Sequence, residues 1–573
     1  MKKQLLSLFL ILISSFFINC EGQSWMWAKE AIPSQKPPKG FGDVSVVAVD
    51  GSGNAYLPGD YKDSLAFGAF SIWASDSNFG AFLAKYDSNG NFLWAKSSID
   101  SLYTSTSAGF SAAADGYGNA YLAGYFQGYA KFGTYMLSSV PEEPCLVKYS
   151  LIGNVIWARQ STGPGGGYTD AVAADAKGNA YAAGTFTGNV VFGSDTAKNG
   201  GVFLTKYNAA GIVKWVKQST VPSDFSYAEP YSVALDQSGN VYVAGYFIDS
   251  TSFGPNLLKV PGLAGNECSF LVKYDSNGNL LWAKQAVPSR KIGTSTTNSV
   301  AIDGMGYAYI TGEFEDTISF GGFKLAYSNF FGYTDVFLAK YDPNGNVIWA
   351  KQGKVLDGNG WEGRSVACDT LARGGGYMIL GASFTSPFKL KFGVDTFSLV
   401  TGHSSVSAIL RFDSAGNVIC AGNTFSEGDE DDGDGVGVDH SGKRIYFGGD
   451  LYNGAAFGSD TLKAGGDAPF VARWQPCLPV IEEGTNEINS SVAQAVLYPN
   501  PNSGEFTIKL SGISGESSVE IYNMLGEKIY KETLSQAQVD YTIDLPRKSA
   551  GVYFYRVLTE TGDQIAEGKF IIE

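Results

Sequence analysis

Histidine is almost missing from this 573-residue chain, with His403 and His440 as the only two. A zinc centre or an imidazole-based catalytic site would have to be improvised from that pair. Charge is scarce as well: 41 Lys and Arg stand against 56 Asp and Glu, and the balance of −15 comes without any basic block. Nucleic acid is therefore excluded as a partner, because polyanion binding depends on Lys and Arg neutralising phosphates. Beyond the first twenty residues no apolar run approaches the ~18 residues that a transmembrane helix needs. The cysteines form no CxxC pair and no Cys/His cluster. Setting Cys20 aside leaves the odd number Cys145, Cys268, Cys368, Cys420 and Cys477, which reads as separate buried small side chains rather than a disulfide framework. What the chain does have is 72 glycines and a large aromatic complement of 37 Phe, 32 Tyr and 10 Trp. So many aromatics with so little charge exclude disorder, and the turn density excludes coiled coils and helical bundles. The class is all-β.

Residues 1–23 read as an export signal: Lys2 and Lys3 precede an apolar run from Leu5 to Ile18. Two cleavage readings compete, ordinary removal near Gly22 and Gln23 or lipidation at Cys20. Asn19 and the short tether to Trp25 weigh against the second. The mature chain is expected to be exported through the periplasm.

Internal repetition dominates residues 24–475. VAVDGSGNAYLPG from Val47 returns as AAADGYGNAYLAG from Ala112, VAADAKGNAYAAG from Val172, VALDQSGNVYVAG from Val233, VAIDGMGYAYITG from Val300, VACD from Val366 and VGVDHSGKRIYFG from Val436. A Phe-Gly pair, beginning at Phe67 and ending at Phe457, and a third strand of the type FLAKYD from Phe82 recur in phase. Trp94, Trp157, Trp215, Trp282 and Trp349 mark a fourth strand, with Cys420 in that place in the sixth unit. The seventh unit lacks its fourth strand, while Trp25, Trp27, Ala28 and Lys29 carry the same signature with nothing before them. An isolated strand exposes a row of unpaired backbone groups, so the amino-terminal strand is predicted to complete the seventh sheet. Asp-x-x-Gly suits a type I turn with the aspartate as acceptor and glycine where a left-handed conformation is needed, giving short hairpins between strands one and two and between three and four. The aspartates are read as turn caps.

The fold expected for residues 24–475 is a seven-bladed β-propeller closed by its N-terminal strand. The units resemble the SBBP family of bacterial propeller repeats and, more distantly, NHL repeats, through the VAVDxxGNxYVAG pattern.

Residues 476–494 read as a polar linker, and residues 495–573 as a small Ig-like β-sandwich of alternating strands. This tail resembles the type A C-terminal sorting domain of the type IX secretion system of Bacteroidetes. The matching residues are Pro499, Asn500, Pro501, Gly504 and Phe506, then Ile521, Tyr522, Asn523 and Gly526, then Gly551, Tyr553, Phe554 and Lys569. The resemblance implies handling by that machinery and delivery to the cell surface or the medium.

Both kinds of tight hairpin fall on one face, so diversity collects on the other. The longer connections there hold Tyr103, Phe110, Tyr168, Phe225, Tyr227, Tyr231 and Trp361, aromatics beside small polar residues that suit a glycan or peptide ligand. Of these, Tyr103, Phe110, Tyr168, Tyr227 and Trp361 are the candidate ligand contacts. The acidic run EGDEDDGDG supplies Asp429, Asp431, Asp432 and Asp434; calcium is the one cation it could hold, against the simpler reading of a solvated loop. No other cofactor is expected. No Gly-x-Ser-x-Gly, phosphate loop or His-Glu-x-x-His motif occurs in a fitting context. The leading reading is a non-catalytic surface or secreted binding protein. The alternatives are a glycan-acting hydrolase or lyase and a structural surface component. Raised-pKa carboxylates converging on the axis of the diverse face would favour catalysis over plain binding.

Overall fold

The computed structural model describes residues 24–34, 40–74, 79–100, 105–222, 226–260, 265–288, 293–326, 334–355, 362–368, 375–381, 388–392, 395–399, 407–423, 425–426, 432–439, 442–452, 454–463, 467–476, 494–511, 517–523, 527–534, 540–545, 548–559 and 564–572. The expected signal at 1–23 and nearly all of the expected linker lie outside these residues. The chain divides into two compact units, Met1–Val480 and Ile481–Glu573.

Among the described residues of the first unit, every repeat supplies one antiparallel sheet. The third is representative: Gly166–Ala174 pairs with Ala180–Thr187, which pairs with Gly201–Tyr207, which pairs with Val213–Thr220. In the seventh, Asp432–Val438, Ile445–Leu451 and Ala468–Gln475 are followed by Ser24–Glu30, which lies antiparallel to Ala468–Gln475 with Ala28 opposite Ala472. The Trp-Ala-Lys segment thus fills the place that its signature requires.

Four kinds of contact join neighbouring sheets, and each returns from the seventh repeat to the first; the two made by the fourth-strand tryptophan do not occur after the sixth repeat, where Cys420 takes its place. Apolar clusters fill the gaps between neighbouring sheets; one unites Val366, Leu410 and Phe412 with Tyr309 and Leu338, and another unites Tyr446 and Val471 with Leu57 and Phe82. The sheets are apolar on both faces for this reason. The fourth-strand tryptophans reach a carbonyl in the following repeat: Trp94 Nε1 to Leu151 O at 3.1 Å, Trp157 to Ala209 O at 3.1 Å, and Trp27 to Ser88 O at 3.3 Å. Each indole lies on a turn glycine, so a methyl group at Gly153 would come within 2.9 Å of Trp94, and one at Gly90 within 2.7 Å of Trp27. Those glycines have φ of +81° and +82°, so both conformation and space demand them. Finally, the Phe-Gly pair heads a small hairpin of its own that borders the preceding repeat. Val287–Pro288 pairs with Ile318–Phe320, and Ile32–Pro33, continuing the amino-terminal strand, pairs with Ser64–Phe67. The repeated Phe-Gly signal alone does not announce these hairpins, because a strand of three residues carries too little periodicity.

The repeated aspartates cap their turns as expected: Asp50 Oδ1 accepts the amides of Ser52 and Asn54, both at 2.9 Å. They also do more. Asp50 Oδ2 accepts the Tyr56 hydroxyl at 3.0 Å and lies 3.7 Å from Lys85 Nζ, which sits over the Tyr56 ring at 4.7 Å. Asp115, Tyr121 and Lys148 repeat this arrangement, with a 3.1 Å ion pair. Both partners are buried, and burial pulls the Lys85 amine below its usual range despite the neighbouring charge. The cost of desolvating both charges offsets much of the attraction between them.

Cys145, Cys268 and Cys368 are buried and not disulfide-bonded, in line with the sequence reading. Cys420 departs from it: this residue is disulfide-bonded, whereas the odd cysteine count suggests isolated thiols. Cys477 lies outside the described residues.

In the second unit, Gln494–Tyr498, Glu505–Ser511 and Asp540–Asp544 form one sheet, while Lys528–Leu534, Ser517–Tyr522, Gly551–Thr559 and Gln564–Ile572 form another. Phe506, Ile508 and Ile543 of the first share a core with Val519, Ile521, Val557 and Phe570 of the second. The Pro-Asn-Pro-Asn segment is tied to the last strand: the Ile571 amide donates to Asn500 Oδ1 at 2.8 Å, and the Asn502 amide to Ile571 O at 2.9 Å. Gly504, at φ +101°, donates its amide to Asn502 Oδ1 at 2.9 Å. Phe506 and Tyr553 are buried, while Lys569 is exposed. Gly526 lies outside the described residues.

Candidate functional site

Counting back from each turn aspartate shows which inner-strand positions are constant and which are free. Three residues before it stand Val47, Ala112, Val172, Val233, Val300, Val366 and Val436, all apolar. Four before it the residues are small, and the serines among them bind the neighbouring strand: the Val300 amide donates to Ser232 Oγ at 3.1 Å, Val366 to Ser299 at 3.1 Å, and Val436 to Ser365 at 3.2 Å. Five before it, nearly every repeat differs: Ser45, Phe110, Asp170, Tyr231, Asn298, Arg364 and Asp434.

That free position coincides with a β-bulge. Pairing with the second strand slips between Gly109 and Ser111, between Thr169 and Ala171, between Pro230 and Ser232, between Thr297 and Ser299, between Glu362 and Ser365, and between Gly433 and Gly435. In the first repeat the strand is interrupted at residues 44–47. A bulge leaves its residue without a ladder partner and re-aims the side chain. All seven of these residues line one cavity of about 870 Å³. A second free position, just after the glycine of the second strand, adds Tyr246, Glu313 and Asp450 to the lining.

The lining is acidic. Asp43 and Asp450 stand on the side where the seventh repeat meets the first, with the Val44 amide donating to Asp450 at 3.0 Å. Asp170, Glu229 and Glu267 come from the third and fourth repeats, and Glu313, Glu362 and Asp434 from the fifth, sixth and seventh. Arg364 is the one cationic side chain among the described lining residues, held at 2.6 Å from Glu362 and 3.6 Å from Asp434. Several carboxyls cannot all ionise in such a place. Burial, with the charge of Glu362, pushes Glu313 up to about 7. Burial, with the charge of Asp43, does the same to nearby Asp60, also to about 7. Asp170 and Asp450 are raised well above the carboxylate range by burial and then by Glu229 and Asp43, respectively.

The fourth repeat contributes an aromatic wall. Tyr227 and Tyr246 both donate to Glu229 Oε2, at 2.9 and 3.0 Å. The Tyr246 ring stands 6.1 Å from that of Tyr227 and 5.5 Å from that of Tyr231, tilted by 49° and 42°. Tyr227 itself borders a second recess of about 420 Å³, shared with Thr187 and Asn199, and not the large cavity.

Of the candidate ligand contacts, Phe110 lines the large cavity, Tyr227 the smaller recess, and Tyr168 packs on Tyr125 at 4.8 Å and donates to Glu142. All three, with Tyr231, lie on inner strands and not in connecting loops as expected. The strands run further than the apolar core of each repeat because bulges break the alternation by which their length would be read. Tyr103 and Trp361 lie outside the described residues. So do Asp429 and Asp431; only the backbone of Asp432 is described, and Asp434 belongs to the cavity wall. Among the described residues no group of three or more acidic, His or Cys side chains could hold a metal ion.

Sequence reasoning missed Asp170, Glu229, Tyr246, Glu267, Glu313, Arg364 and Asp450. The available signal was difference within the repeats: a position that changes in nearly every copy, two residues before one that is Val or Ala throughout, is free of the packing that fixes the latter.

Comparison with known proteins identifies residues 496–573 as a secretion system C-terminal sorting domain, and the tail is accordingly that of a type IX secretion substrate, destined for the cell surface or extracellular space. The chain is 25% identical over 437 residues to an uncharacterized WD repeat-containing protein of Acanthamoeba polyphaga mimivirus, covering 63% of this chain and 30% of that protein. The chain thus spans about a third of the length of that curated relative. Among solved structures, a protein of unknown function from Dyadobacter fermentans aligns at 10% identity and a TM-score of 0.36, over 78% of this chain and 98% of the other. PorZ, a surface component of the type IX secretion system of Porphyromonas gingivalis, aligns at 10% identity and a TM-score of 0.13, over 92% and 93%. No helix among the described residues is long and apolar enough to cross a membrane.

Proposed function

We propose that this chain is an exported, cell-surface ligand-binding protein in which the repeats form a closed seven-bladed β-propeller and the ligand enters the central acidic cavity. The observation that carries this reading is the bulge position, where the varied set from Ser45 to Asp434 lines a single cavity while the position two residues later is Val or Ala in every repeat. Repeats that diverge where they face a cavity supply a specific surface on a shared scaffold. A glycan and peptide array on the secreted full-length chain tests it. Binding should fall at least tenfold in Asp170→Asn and Asn298→Ala, with melting unchanged, and should survive Asn89→Ala and Asn277→Ala on the hairpin face. Loss from the hairpin-face variants with none from the cavity variants would sink the reading.

A second reading, a glycan-acting hydrolase, draws on the raised carboxyls. A carboxyl held protonated near neutrality, such as Glu313, is what a general acid requires. Turnover of arrayed glycans that disappears in Glu313→Gln would favour it; binding without turnover leaves the first reading in place.

A further inference from the structure

The wall that the fourth repeat presents to the cavity differs in kind from the rest. Tyr227, Glu229 and Tyr231 stand on the inner strand Tyr227–Leu235, and Tyr246 on the paired strand opposite Glu229. Both phenols that reach Glu229 share its Oε2, and Oε1 accepts no hydrogen bond among the described residues. Glu267, opposite Ile248 on the next strand, receives none from them either. Tyr227 and Tyr231 keep about two-fifths of their surface open, at 39% and 40%, so their ring faces are available beside the carboxylates.

The geometry points to a recognition site for a protonated alkylamine, held by the Glu229 carboxylate and enclosed by the faces of Tyr227, Tyr231 and Tyr246. This rests on the proposed role of the cavity as a ligand site and specifies the ligand class. Tyr231 and Tyr246 line the cavity together with Glu229, and an ammonium group within ~6 Å of a ring centroid is attracted by the ring quadrupole as well as by the charge. A neutral sugar would satisfy the rings and leave the carboxylates facing each other. An anion would meet the Glu229 charge that already raises Asp170 and Glu267. Burial and the Glu229 charge raise both Asp170 and Glu267, so an ammonium group relieves a repulsion that the wall otherwise bears. The cavity's own cation, Arg364, belongs to the sixth repeat and is bound to Glu362 and Asp434. The neighbouring recess at Tyr227, with Thr187 and Asn199, can receive the remainder of an extended ligand.

The amine could come from a free polyamine or from a lysine side chain, and calorimetry on the secreted full-length chain separates them. The probes are spermidine, the blocked tripeptide Ala-Lys-Ala, its neutral counterpart Ala-Gln-Ala, and maltotriose. Binding of either amine, with no heat from Ala-Gln-Ala, is the expected result; spermidine alone assigns a polyamine, and both assign the alkylammonium group itself. Glu229→Gln should weaken amine binding at least tenfold, and Tyr246→Phe about threefold, with melting curves unchanged. Amine binding indifferent to Glu229→Gln overturns the inference. So does maltotriose or array-ligand binding that needs Asp170 while no amine binds, an outcome that leaves the cavity reading standing. If neither amines nor arrayed ligands respond to any cavity variant, both fall.

Discussion

Replacing Trp27 by alanine tests whether the seventh repeat is joined to the first as the tryptophan-bearing repeats are joined to their neighbours. Trp27 is 8% exposed, donates its indole N–H to Ser88 O at 3.3 Å, lies against Gly90 and faces Tyr446 at 6.0 Å. Truncating a buried tryptophan costs about 3–5 kcal/mol, a large share of the ~5–15 kcal/mol that typically holds a domain together. For a cooperative unit of roughly 450 residues, an unfolding entropy of about 2.1 cal/mol/K per residue converts this to a drop of only about 3–5 °C in Tm. Denaturant midpoints and amide exchange are therefore the more sensitive assays. Exchange should quicken first in Ser24–Glu30 and in its partner Ala468–Gln475, because a terminal strand is free to fray once its anchor is gone. Trp215→Ala is the control, since it removes the same kind of contact where the chain continues on both sides. Gly90→Ala should be costly in the wild type, where its methyl would meet Trp27 at 2.7 Å, and less so beside Trp27→Ala. A change below about 1 kcal/mol for Trp27→Ala, with exchange unaltered, would refute the joining of the seventh repeat to the first by this strand.

Lys148→Met should destabilise by about 3–5 kcal/mol, because it strands the buried Asp115 charge, and adding Asp115→Asn should recover much of the loss in chemical denaturation. Glu313 has its pKa raised from 4.5 to about 7, so the stability that its protonated form contributes is complete below pH ~4.5 and lost as pH rises through about 7. Glu313→Gln should therefore be neutral at pH 4.5 and more stable than wild type by about 3 kcal/mol at pH 8; an equal effect at both pH values would contradict the assignment. Deleting residues 495–573 should leave a folded repeat region retained in the periplasm, and normal surface display of the truncated chain, followed by fractionation, would disprove the sorting role.

Much of the architecture was legible because repetition multiplies a weak signal. One VAVDGSGN segment would be an ambiguous hairpin, but in-phase copies fix the strands, the turns and the missing fourth strand that Trp25 to Lys29 supply. The tail was legible for another reason: Asn500, Asn502 and Gly504 are dictated by a local turn bonded to the last strand, so their order survives in the sequence. The site was harder to see. Phe110, Tyr168 and Tyr227 stand out in the sequence as aromatics yet read as loop residues, because a bulge disrupts the alternation of a strand just where its side chain becomes useful.

The sequence by itself determined the repeat, its strand order, its hairpin turns and its export address, since each depends on contacts between residues close in the chain or copied in every unit. Tertiary structure alone decided that Asp43 and Asp450, some 400 residues apart, share one wall, and that Glu229, Glu313 and Arg364 face the same space. It also turned the turn-capping aspartates into buried partners of Lys85 and Lys148. Acidity that is diluted along the chain becomes concentrated when the repeats bring their bulges together, and the resulting pKa shifts belong to that convergence, because Coulomb energy depends on distance in space and not on separation in sequence.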